Sequence, residues 1–595
     1  MGNYQSHNPR AGHGTQPYHA GHVRSSIGQR RTNGKSLLGT LAAAALPAFL
    51  SNNPLPNGYP WSHLSPNTDY YHEVPYTGVI RCYDFTISRD VIAPDGYLKP
   101  VLLVNGGFPG PLIEANWGDT IQVTVRNNIT SPEEGTALHW HGFLQKGTPW
   151  EDGVPAVTQC PIAPGKEFTY TFQADMYGTT WYHSHYSAQY AGGLIGPMVI
   201  HGPQIAEYDI DLGPVMLTDW YHEDYFTLVE QTMAVNSTPV FADNNLINGK
   251  MNFDCASAKH GDRAPCVNDA GVSQFRFEKG KKHLLRLINA GAEALQHFSI
   301  DGHTMTVIAN DFVPVQPYET KVVTLGIGQR SDVIVEANGE LDAYYMRSNI
   351  SKICSLARNH DALAVIYYDD ADTYSEPKSE AWDIQDPGTC ANDDLEMTVP
   401  FKELALPEPD LTYDMEVKLF VNGSGIKLWS LDGVTFRGNY NSPPLLLGIL
   451  GNYTFDEEWN VRRTGNARSV RVNVINHTPV AHPMHLHGFD MYVLHEGLGP
   501  WDGTIVRPSN PQRRDVFQVR PNGHLVMQFD AGENPGVWPF HCHIAWHVSA
   551  GFFVQFLTGE DKVRGMKIPA VVAETCREWA AWTGENIPEQ IDSGL

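Results

Sequence analysis

The feature that most restricts this chain is a histidine-x-histidine pair that occurs four times in a repeated order. "HWHG" at 139–142 precedes "WYHSHYSAQYAGGL" at 181–194, and "HPMHLHG" at 482–488 precedes "WPFHCHIAWHVSAGF" at 538–552. Aligning the two halves places every paired histidine on another paired histidine, and Gly193 on Gly551. We interpret this correspondence as an internal duplication.

A third part of the chain carries no histidine pair but shares a weaker similarity with the second half. "GQRSDVIVEA" at 328–337 echoes "PQRRDVFQVR" at 511–520. Many short Val-, Thr- and Tyr-rich runs, with 54 Gly and 41 Pro as turn formers, predict an all-β protein. The sequence therefore predicts three related β-domains. Their expected bounds are 75–204, 205–372 and 373–595, the last including a linker and a C-terminal tail, after an N-terminal extension at 1–74.

The spacing of the histidine pairs points to metal binding. Side chains of a β-strand alternate between its two faces, so both imidazoles of each pair share one face. Eight imidazoles suit a cluster of three copper ions better than one tetrahedral zinc. A zinc site at "HCH" is the alternative, but it would leave most of the histidines without a role. The predicted cluster ligands are His139, His141, His183, His185, His485, His487, His541 and His543.

A second metal site is predicted on the opposite face of the strand "FHCHI", which follows a turn at Asn534-Pro535-Gly536. Here Cys542 can join His482 and His547 in the His₂Cys set of a blue-copper electron-transfer centre. The usual weak axial ligand is Met, but the position ten residues after the cysteine is Phe552, which should raise the potential. The first half has Thr136, Ser184 and Gln189 at the matching positions, so this site occurs once.

Charge and the N-terminus restrict partners and location. The chain has 41 basic and 66 acidic residues, a net charge of −25, which argues against nucleic acid and anionic lipid partners.

The apolar stretch at 36–50 is too short and broken to span a bilayer, and it follows a basic flank as a signal-peptide core does. The polar leader in front is unusually long, so the signal is atypical. With several N-x-S/T sequons, these features favour a secreted glycoprotein, with an N-terminal anchor as the alternative.

The chain has eight cysteines, and a metal-binding Cys542 leaves an odd number. Proximity favours a disulfide between Cys255 and Cys266. Cys82 is expected to be a buried free thiol. Spacing alone leaves the remaining pairs open.

At these residues the chain resembles the multicopper oxidases, and among them the ascomycete-type fungal laccases. The resemblance runs from about residue 75 to the end and includes "HWHGFLQKGTPWEDGVPAVTQCPIAPG" as well as the other three histidine motifs. It implies three cupredoxin-like domains of Greek-key β-barrel or sandwich type and four copper ions. The implied ligands are His482, Cys542 and His547 for type 1 copper, His139 and His485 for type 2, and His141, His183, His185, His487, His541 and His543 for the type 3 pair.

The same resemblance implies roles for three carboxylates. Asp152 in "TPWEDG" and Asp592 in "IDSGL" would deliver protons to oxygen, and Glu293 in "INAGAEALQHF" would accept the phenol proton beside His547. The alternatives are solvated or capping carboxylates for the two aspartates and a surface loop residue for Glu293, because the chain departs from the family pattern near "HFSIDGH". The implied disulfides are Cys160 with Cys576 and Cys354 with Cys390.

The implied function is laccase-like oxidation of small phenols, one electron at a time through His547, coupled to reduction of dioxygen to water. A monomer is expected. The main alternative is a dedicated phenol-coupling oxidase of a pigment or secondary-metabolite pathway. A ferroxidase, for which only Glu293 offers a carboxylate, and an ascorbate oxidase are less favoured. A copper storage protein is disfavoured because it would not need cysteine and histidine as neighbours across two sites. A nitrite reductase-like enzyme is disfavoured because it needs no type 3 pair and would leave histidines unused.

Overall fold

The computed structural model describes residues 61–259, 261–369, 371–586, 588 and 590–595. The signal-like segment predicted at 36–50 and most of the N-terminal extension lie outside the described residues. Residues 61–74 belong to the folded protein, because Tyr70 is buried and the Tyr71 hydroxyl donates to Asp490 Oδ2 at 2.7 Å.

The first unit consists of two four-stranded sheets, ordered β2-β1-β4-β6 and β3-β8-β7-β5. Alternation of polar and apolar residues sets the inner faces, as in β4, where Ile121, Val123 and Val125 are fully buried. Its strands are β1 (Ile80–Ile92), β2 (Lys99–Val104), β3 (Ile113–Asn116), β4 (Thr120–Asn127), β5 (Leu138–Trp140), β6 (Glu167–Gln173), β7 (Gly178–Ser184) and β8 (Ile195–His201).

The middle unit pairs a six-stranded sheet, β10-β9-β12-β17-β14-β15, with a five-stranded sheet, β11-β19-β18-β13-β16. Helix α1 (Tyr225–Thr232) is capped by the preceding Asp224, whose side chain accepts a hydrogen bond from the Phe226 amide. The strands are β9 (Ile210–Trp220), β10 (Asn244–Ile247), β11 (Ser273–Phe277), β12 (Lys282–Asn289), β13 (Gln296–Ile300), β14 (Met305–Asn310), β15 (Val313–Thr320), β16 (Val323–Leu325), β17 (Arg330–Glu336), β18 (Ala343–Ile350) and β19 (Asp361–Tyr368).

The third unit repeats this layout with sheets β21-β20-β23-β28-β25-β26 and β22-β30-β29-β24-β27. Its strands are β20 (Leu411–Val421), β21 (Lys427–Leu431), β22 (Val461–Gly465), β23 (Val470–Asn476), β24 (His482–Leu486), β25 (Met491–Leu498), β26 (Gln512–Arg514), β27 (Val516–Val519), β28 (Gly523–Phe529), β29 (Gly536–Cys542) and β30 (Phe553–Thr558). Its helices are α2 (Pro444–Ile449), α3 (Ala545–Ser549), α4 (Glu560–Val563) and α5 (Ala570–Glu585).

The first and third units share one continuous apolar core, which also takes in middle-unit residues such as Ile288 and Phe312, and the rest of the middle unit has a core of its own. Helix α5 packs back on the first unit, where Trp579 is fully buried and Cys576 forms a disulfide with Cys160. The two histidine-rich units are therefore held against each other, which places their strand ends at a common interface.

The three predicted disulfides are confirmed: Cys160–Cys576, Cys255–Cys266 and Cys354–Cys390. Cys82 is a free thiol, but the expectation that it is buried is wrong, because it is half-buried. The reason is strand alternation: Tyr83, Phe85 and Ile87 occupy the inner face of β1, so Cys82 lies on the outer face.

Candidate metal centre

The four histidine pairs lie on two pairs of antiparallel strands whose members are neighbours in the sheet but not in the chain. In the first unit β5 pairs with β7, and His139 lies directly opposite His183. In the third unit β24 pairs with β29, and His485 lies directly opposite His541. The second histidine of each pair extends from the end of its strand. The duplication seen in the sequence is thus a duplication of this strand arrangement.

The glycine after two of the pairs is required by close packing. Gly142 has φ +81°, and a Cβ there would lie 2.6 Å from both Arg330 Nη2 and Asp515 Oδ2. Gly488 has φ +74°, and a Cβ there would lie 2.5 Å from the Trp538 ring. Any other residue would be strained and would displace the strand end that carries the imidazoles.

The eight predicted cluster histidines are all buried and converge at the interface of the first and third units. Ring contacts join each half of the duplication to the other. The ring centroids are 3.9 Å apart for His141 and His485, 4.0 Å for His139 and His487, 5.2 Å for His183 and His543, and 5.2 Å for His185 and His541.

Unpaired ring nitrogens test whether this cluster fits metal ions. His139 Nδ1 donates to the Asp152 carbonyl at 2.7 Å, and His485 Nδ1 donates to the Asp515 carbonyl at 2.9 Å. The opposite Nε2 atoms of both rings are buried without a hydrogen-bond partner, as are those of His183 and His185. Buried polar atoms left without partners are costly, so this arrangement fits metal coordination.

Two ring nitrogens that lie close together also indicate metal coordination. His487 Nε2 and His541 Nε2 lie 3.0 Å apart. The other nitrogen of each ring already has a hydrogen-bond partner. His541 Nδ1 donates to the Cys542 carbonyl at 2.8 Å, and His487 Nδ1 donates to Asp152 Oδ2 at 2.9 Å. Two neutral imidazoles held in this way direct lone pairs at each other, and a cation between or beside them relieves that repulsion.

Burial and neighbouring imidazoles keep seven of the cluster histidines, and His547 of the second site, in the neutral form that binds metal. Burial lowers the pKa of His541 to about 4, and the pKa of His547 to about 3. For the others, burial and then the adjacent histidines hold the pKa well below its usual range. They are His141, His183, His185, His485, His487 and His543.

The predicted second site lies on the other side of β29. Cys542 Sγ is 3.7 Å from His482 Nδ1 and 3.6 Å from His547 Nδ1, and the two nitrogens are 3.2 Å apart. Donors that share one metal at roughly 2.0–2.3 Å in a trigonal plane lie about 3.6 Å from each other. The three atoms therefore fit a single trigonal ion, and the predicted alternation of Cys542 against its neighbours is confirmed.

Apolar and hydroxyl groups surround this second site. Phe552 is fully buried with its ring centroid 4.9 Å from that of His482, and it offers no ligand atom. The Trp429 ring lies 4.3 Å from the His547 ring. Thr478 Oγ1 lies 3.1 Å from His482 Nε2 and orients that ring, while the Ile544 amide donates to Cys542 Sγ at 3.5 Å.

A buried charge network under the cluster was missed by the sequence reasoning. Asp515 Oδ1 lies 3.0 Å from His141 Nε2, and both carboxylate oxygens accept from Arg330 at 2.6 Å. Arg514 forms a second bidentate pair with Asp311 at 2.9 Å. Burial raises the pKa of Asp515 to about 7, against the opposing effect of Arg330. The sequence similarity between 328–337 and 511–520 could have indicated this network, because the two segments contain Arg330, Arg514 and Asp515.

Asp152 lies inside the cluster rather than at the surface. It follows a short 3₁₀ turn at Pro149–Glu151 and is fully buried. Its Oδ2 lies 2.9 Å from His487 Nδ1 and its Oδ1 lies 3.3 Å from His139 Nδ1. One carboxylate thus contacts a histidine from each half of the duplication.

A cavity of about 310 Å³ opens beside the second site and is lined by both Glu293 and His547. The structure therefore brings together the two residues that were expected to meet the substrate. Glu293 is half-buried, and its amide donates to Asp219 Oδ2 at 2.8 Å. Burial, and then the charge of Asp219, hold the pKa of the Glu293 carboxyl well above its usual range.

Asp592 does not contact the cluster histidines directly, because Ser187 lies between them. Its Oδ2 accepts from Ser187 Oγ at 2.6 Å, and burial raises the pKa of its carboxyl. Ser187 in turn lines a small cavity together with Leu595 and cluster histidines. The histidines at that cavity are His183, His185, His541 and His543.

Comparison with known proteins agrees with this geometry. Sequence profiles described as multicopper oxidase match residues 86–205, 211–371 and 431–562. Laccase-2 of Botryotinia fuckeliana is 38% identical over 90% of this chain and 92% of its own length. Dihydrogeodin oxidase of Aspergillus terreus is 37% identical over 86% and 90%. The crystal structure of a laccase from Botrytis aclada superposes with a TM-score of 0.83 at 36% identity, covering 90% of this chain and 98% of the other.

The chain belongs to the multicopper oxidase family. It is a laccase-like, copper-dependent oxidoreductase that acts on phenols with dioxygen as acceptor, and its cofactors are one type 1, one type 2 and two type 3 copper ions. The predicted all-β architecture of three cupredoxin-like domains is confirmed. Within the described ranges, the helices are too short or too polar to cross a bilayer.

Proposed function

We propose that the copper ions are distributed over the ligands as follows. Groups of donor atoms close enough to share an ion support the assignment, among them His482, Cys542 and His547, and also His185, His487 and His541. Type 1 copper is assigned to His482, Cys542 and His547, type 2 to His139 and His485, and the type 3 pair to His141, His183, His185, His487, His541 and His543.

The observation that carries the proposal is the placement of Cys542 between His541 and His543, with its sulfur in one site and the imidazoles in the other. When bound, the copper ions supply one-electron transfer at the single site and multi-electron reduction of dioxygen at the cluster. The chain supplies a short covalent path from the cysteine sulfur to both neighbouring histidines. His547 borders the cavity, so we assign electron entry from the phenol to its ring edge.

Glu293 is assigned to the phenol proton. A phenol that loses an electron becomes strongly acidic, so a carboxylate beside His547 lowers the barrier to oxidation by accepting the proton. The raised pKa of Glu293 sets the range in which this works. The base form exists above that pKa and disappears as the pH falls through it.

The first test is Glu293→Gln. We expect kcat/KM for a phenol to fall about 10²-fold, because the general base is lost. We also expect the acidic limb of the phenol pH profile to flatten, since glutamine does not titrate. The measurement is oxygen uptake against pH.

Ferrocyanide serves as the control reductant because it gives an electron without a proton. Its oxidation should be unchanged by Glu293→Gln. An equal loss with both reductants would show that Glu293 supports the structure of the pocket instead of accepting a proton.

Asp152 and Asp592 are assigned to proton delivery toward the cluster. Asp152 contacts two cluster histidines directly, whereas Asp592 acts through Ser187. Both side chains are buried, so each can hold a proton away from bulk water and pass it inward.

Asp152→Asn tests the more direct of these roles. We expect phenol turnover under air to fall about 10²-fold. Anaerobic bleaching of the blue colour by phenol should keep its wild-type rate, because electron entry at His547 does not use Asp152. Stopped-flow absorbance measures the bleaching, and metal analysis verifies that four coppers remain. Slower bleaching would contradict the assignment.

We also infer domain bounds of 75–204, 205–372 and 373–595, and a secreted monomer. The second and third family profiles fall within these bounds, and the first ends one residue beyond its domain. Three disulfides are typical of an oxidising compartment. Mass spectrometry of the N-terminus in culture medium and light scattering on the purified protein test location and oligomeric state.

A dedicated phenol-coupling oxidase remains the second candidate, because dihydrogeodin oxidase is among the similar proteins. Turnover of a broad phenol panel supports the laccase-like assignment, whereas activity on one narrow phenol class supports the alternative. A ferroxidase is less favoured, because Glu293 is the one carboxylate among the described residues that line the cavity.

A further inference from the structure

The mouth of the cavity beside His547 is bordered by exposed apolar side chains from three separate segments. Ile353 is 66% exposed and Leu356 36% in the loop after β18, Leu419 is 45% exposed on β20, and Val480 is 36% exposed in the loop before β24. We call these four residues the apolar rim. Large apolar side chains gathered at one opening usually mark a surface that another apolar molecule covers.

The rim is held in place independently of any ligand. The disulfide between Cys354 and Cys390 fixes the loop that carries Ile353 and Leu356. Ser351 Oγ also donates to Asp386 Oδ2 at 2.6 Å at the start of that loop. Leu419 lies opposite Trp429 in the β20–β21 ladder. A preorganised apolar surface binds without first having to order its own side chains.

The size of the cavity exceeds what a one-ring phenol fills. It measures about 310 Å³, whereas an apolar cavity of roughly 150 Å³ is enough to hold benzene. The inner walls are the buried indoles of Trp429 and Trp546, beside His547 and Glu293. A single ring that reaches His547 therefore leaves the outer half of the cavity, including the apolar rim, uncovered.

The charges at the cavity argue for a neutral occupant. The titratable groups among its described lining residues are Glu293, Lys427 and His547. Glu293 and His547 lie with the inner walls, and the Lys427 amine donates to the Ser237 carbonyl at 2.8 Å. A carboxylate on the outer part of a substrate would lose part of its hydration against Ile353, Leu356 and Leu419, which is unfavourable without a compensating hydrogen bond.

We propose that this cavity selects neutral phenols of two or more rings, with the hydroxylated ring against His547 and Glu293 and the outer rings against the apolar rim. This inference rests on the proposed phenol oxidation at the same site and specifies its substrate class. The reaction is unchanged: the phenol loses one electron to the enzyme and its proton to Glu293, and dioxygen receives the electrons.

The test uses the copper-loaded full chain with Leu356→Ser and Leu419→Ser, measured by oxygen uptake. The substrates are 4-hydroxybiphenyl and its one-ring counterpart 4-methylphenol. We expect each variant to raise KM for 4-hydroxybiphenyl about 3- to 10-fold, because apolar contact area is lost. KM for 4-methylphenol should stay within about twofold. Leu498→Ser is the matched control, since Leu498 is 69% exposed and lies outside the cavity.

Two further measurements separate binding from chemistry. Biphenyl, which has no hydroxyl to oxidise, should inhibit competitively, with an inhibition constant raised by the same factor in the rim variants. 4′-Hydroxybiphenyl-4-carboxylate should show a higher KM than 4-hydroxybiphenyl. A lower KM for the carboxylate would show that Lys427 attracts an anionic group to the outer cavity, and it would overturn the proposal.

The outcomes distinguish this inference from the function it rests on. Equal KM changes for the one-ring and two-ring phenols, or none for either, would overturn the substrate class while leaving phenol oxidation intact. Absence of oxygen uptake with every phenol in the wild-type protein would instead overturn the proposed function.

Discussion

Cys542→Ser is expected to abolish the blue absorption and to lower phenol oxidation at least ~10³-fold. The sulfur is the sole thiolate donor of its site and also begins the covalent path to His541 and His543. A serine hydroxyl is a poor copper ligand beside two imidazoles, so both the colour and the path are lost. Visible absorption and oxygen uptake with a phenol measure the two effects together.

Cys82→Ser is the matched control, because Cys82 is the other free cysteine among the described residues. It should leave colour and turnover unchanged. In Cys542→Ser, metal analysis should find three coppers and electron paramagnetic resonance should still show the type 2 signal, because the cluster histidines face away from residue 542. A blue Cys542→Ser protein that still oxidises phenols would refute the ligand assignment.

Asp515→Asn is expected to destabilise the junction of the units by about 3–5 kcal/mol. The substitution removes the negative charge that Arg330 and His141 share, and it places an amide donor against Arg330 Nη2 where the carboxylate had accepted a hydrogen bond. We therefore expect a lower urea midpoint, followed by tryptophan fluorescence, and fewer coppers bound at the cluster.

Asp84→Asn provides the comparison at an exposed ion pair. Asp84 Oδ1 lies 3.2 Å from Arg126 Nη1, and about half of each side chain is exposed to solvent. Solvent screens such a pair, so no measurable change in the urea midpoint is expected. If Asp515→Asn behaved like Asp84→Asn and kept all four coppers, the charge network would have no structural role at the cluster.

Several features of the fold and site could be predicted because they depend on local periodicity. Alternation along one strand was enough to place Cys542 opposite His541 and His543. The duplicated histidine pairs predicted two similar strand arrangements, and the structure contains them as β5 with β7 and β24 with β29. The resemblance to laccases supplied two of the disulfides, which spacing had left open.

Other features were not visible because their partners are distant in the chain. His141 and Asp515 are separated by 374 residues, and the repeated segment that contains Asp515 gives no indication that His141 is its partner. Trp429 beside His547 had no local signal. The same period-two rule that succeeded at Cys542 would have placed Cys82 on the outer face of β1, had the strand's inner residues been identified.

The sequence by itself determined that one extended segment presents sulfur and imidazole to two different metal centres, because adjacent side chains of a strand cannot share a face. Only the tertiary structure decided that imidazoles from both ends of the chain meet at one interface, and that an apolar rim borders the entrance beside His547. Those features depend on how whole sheets and loops pack, and packing between distant segments leaves no period in the sequence.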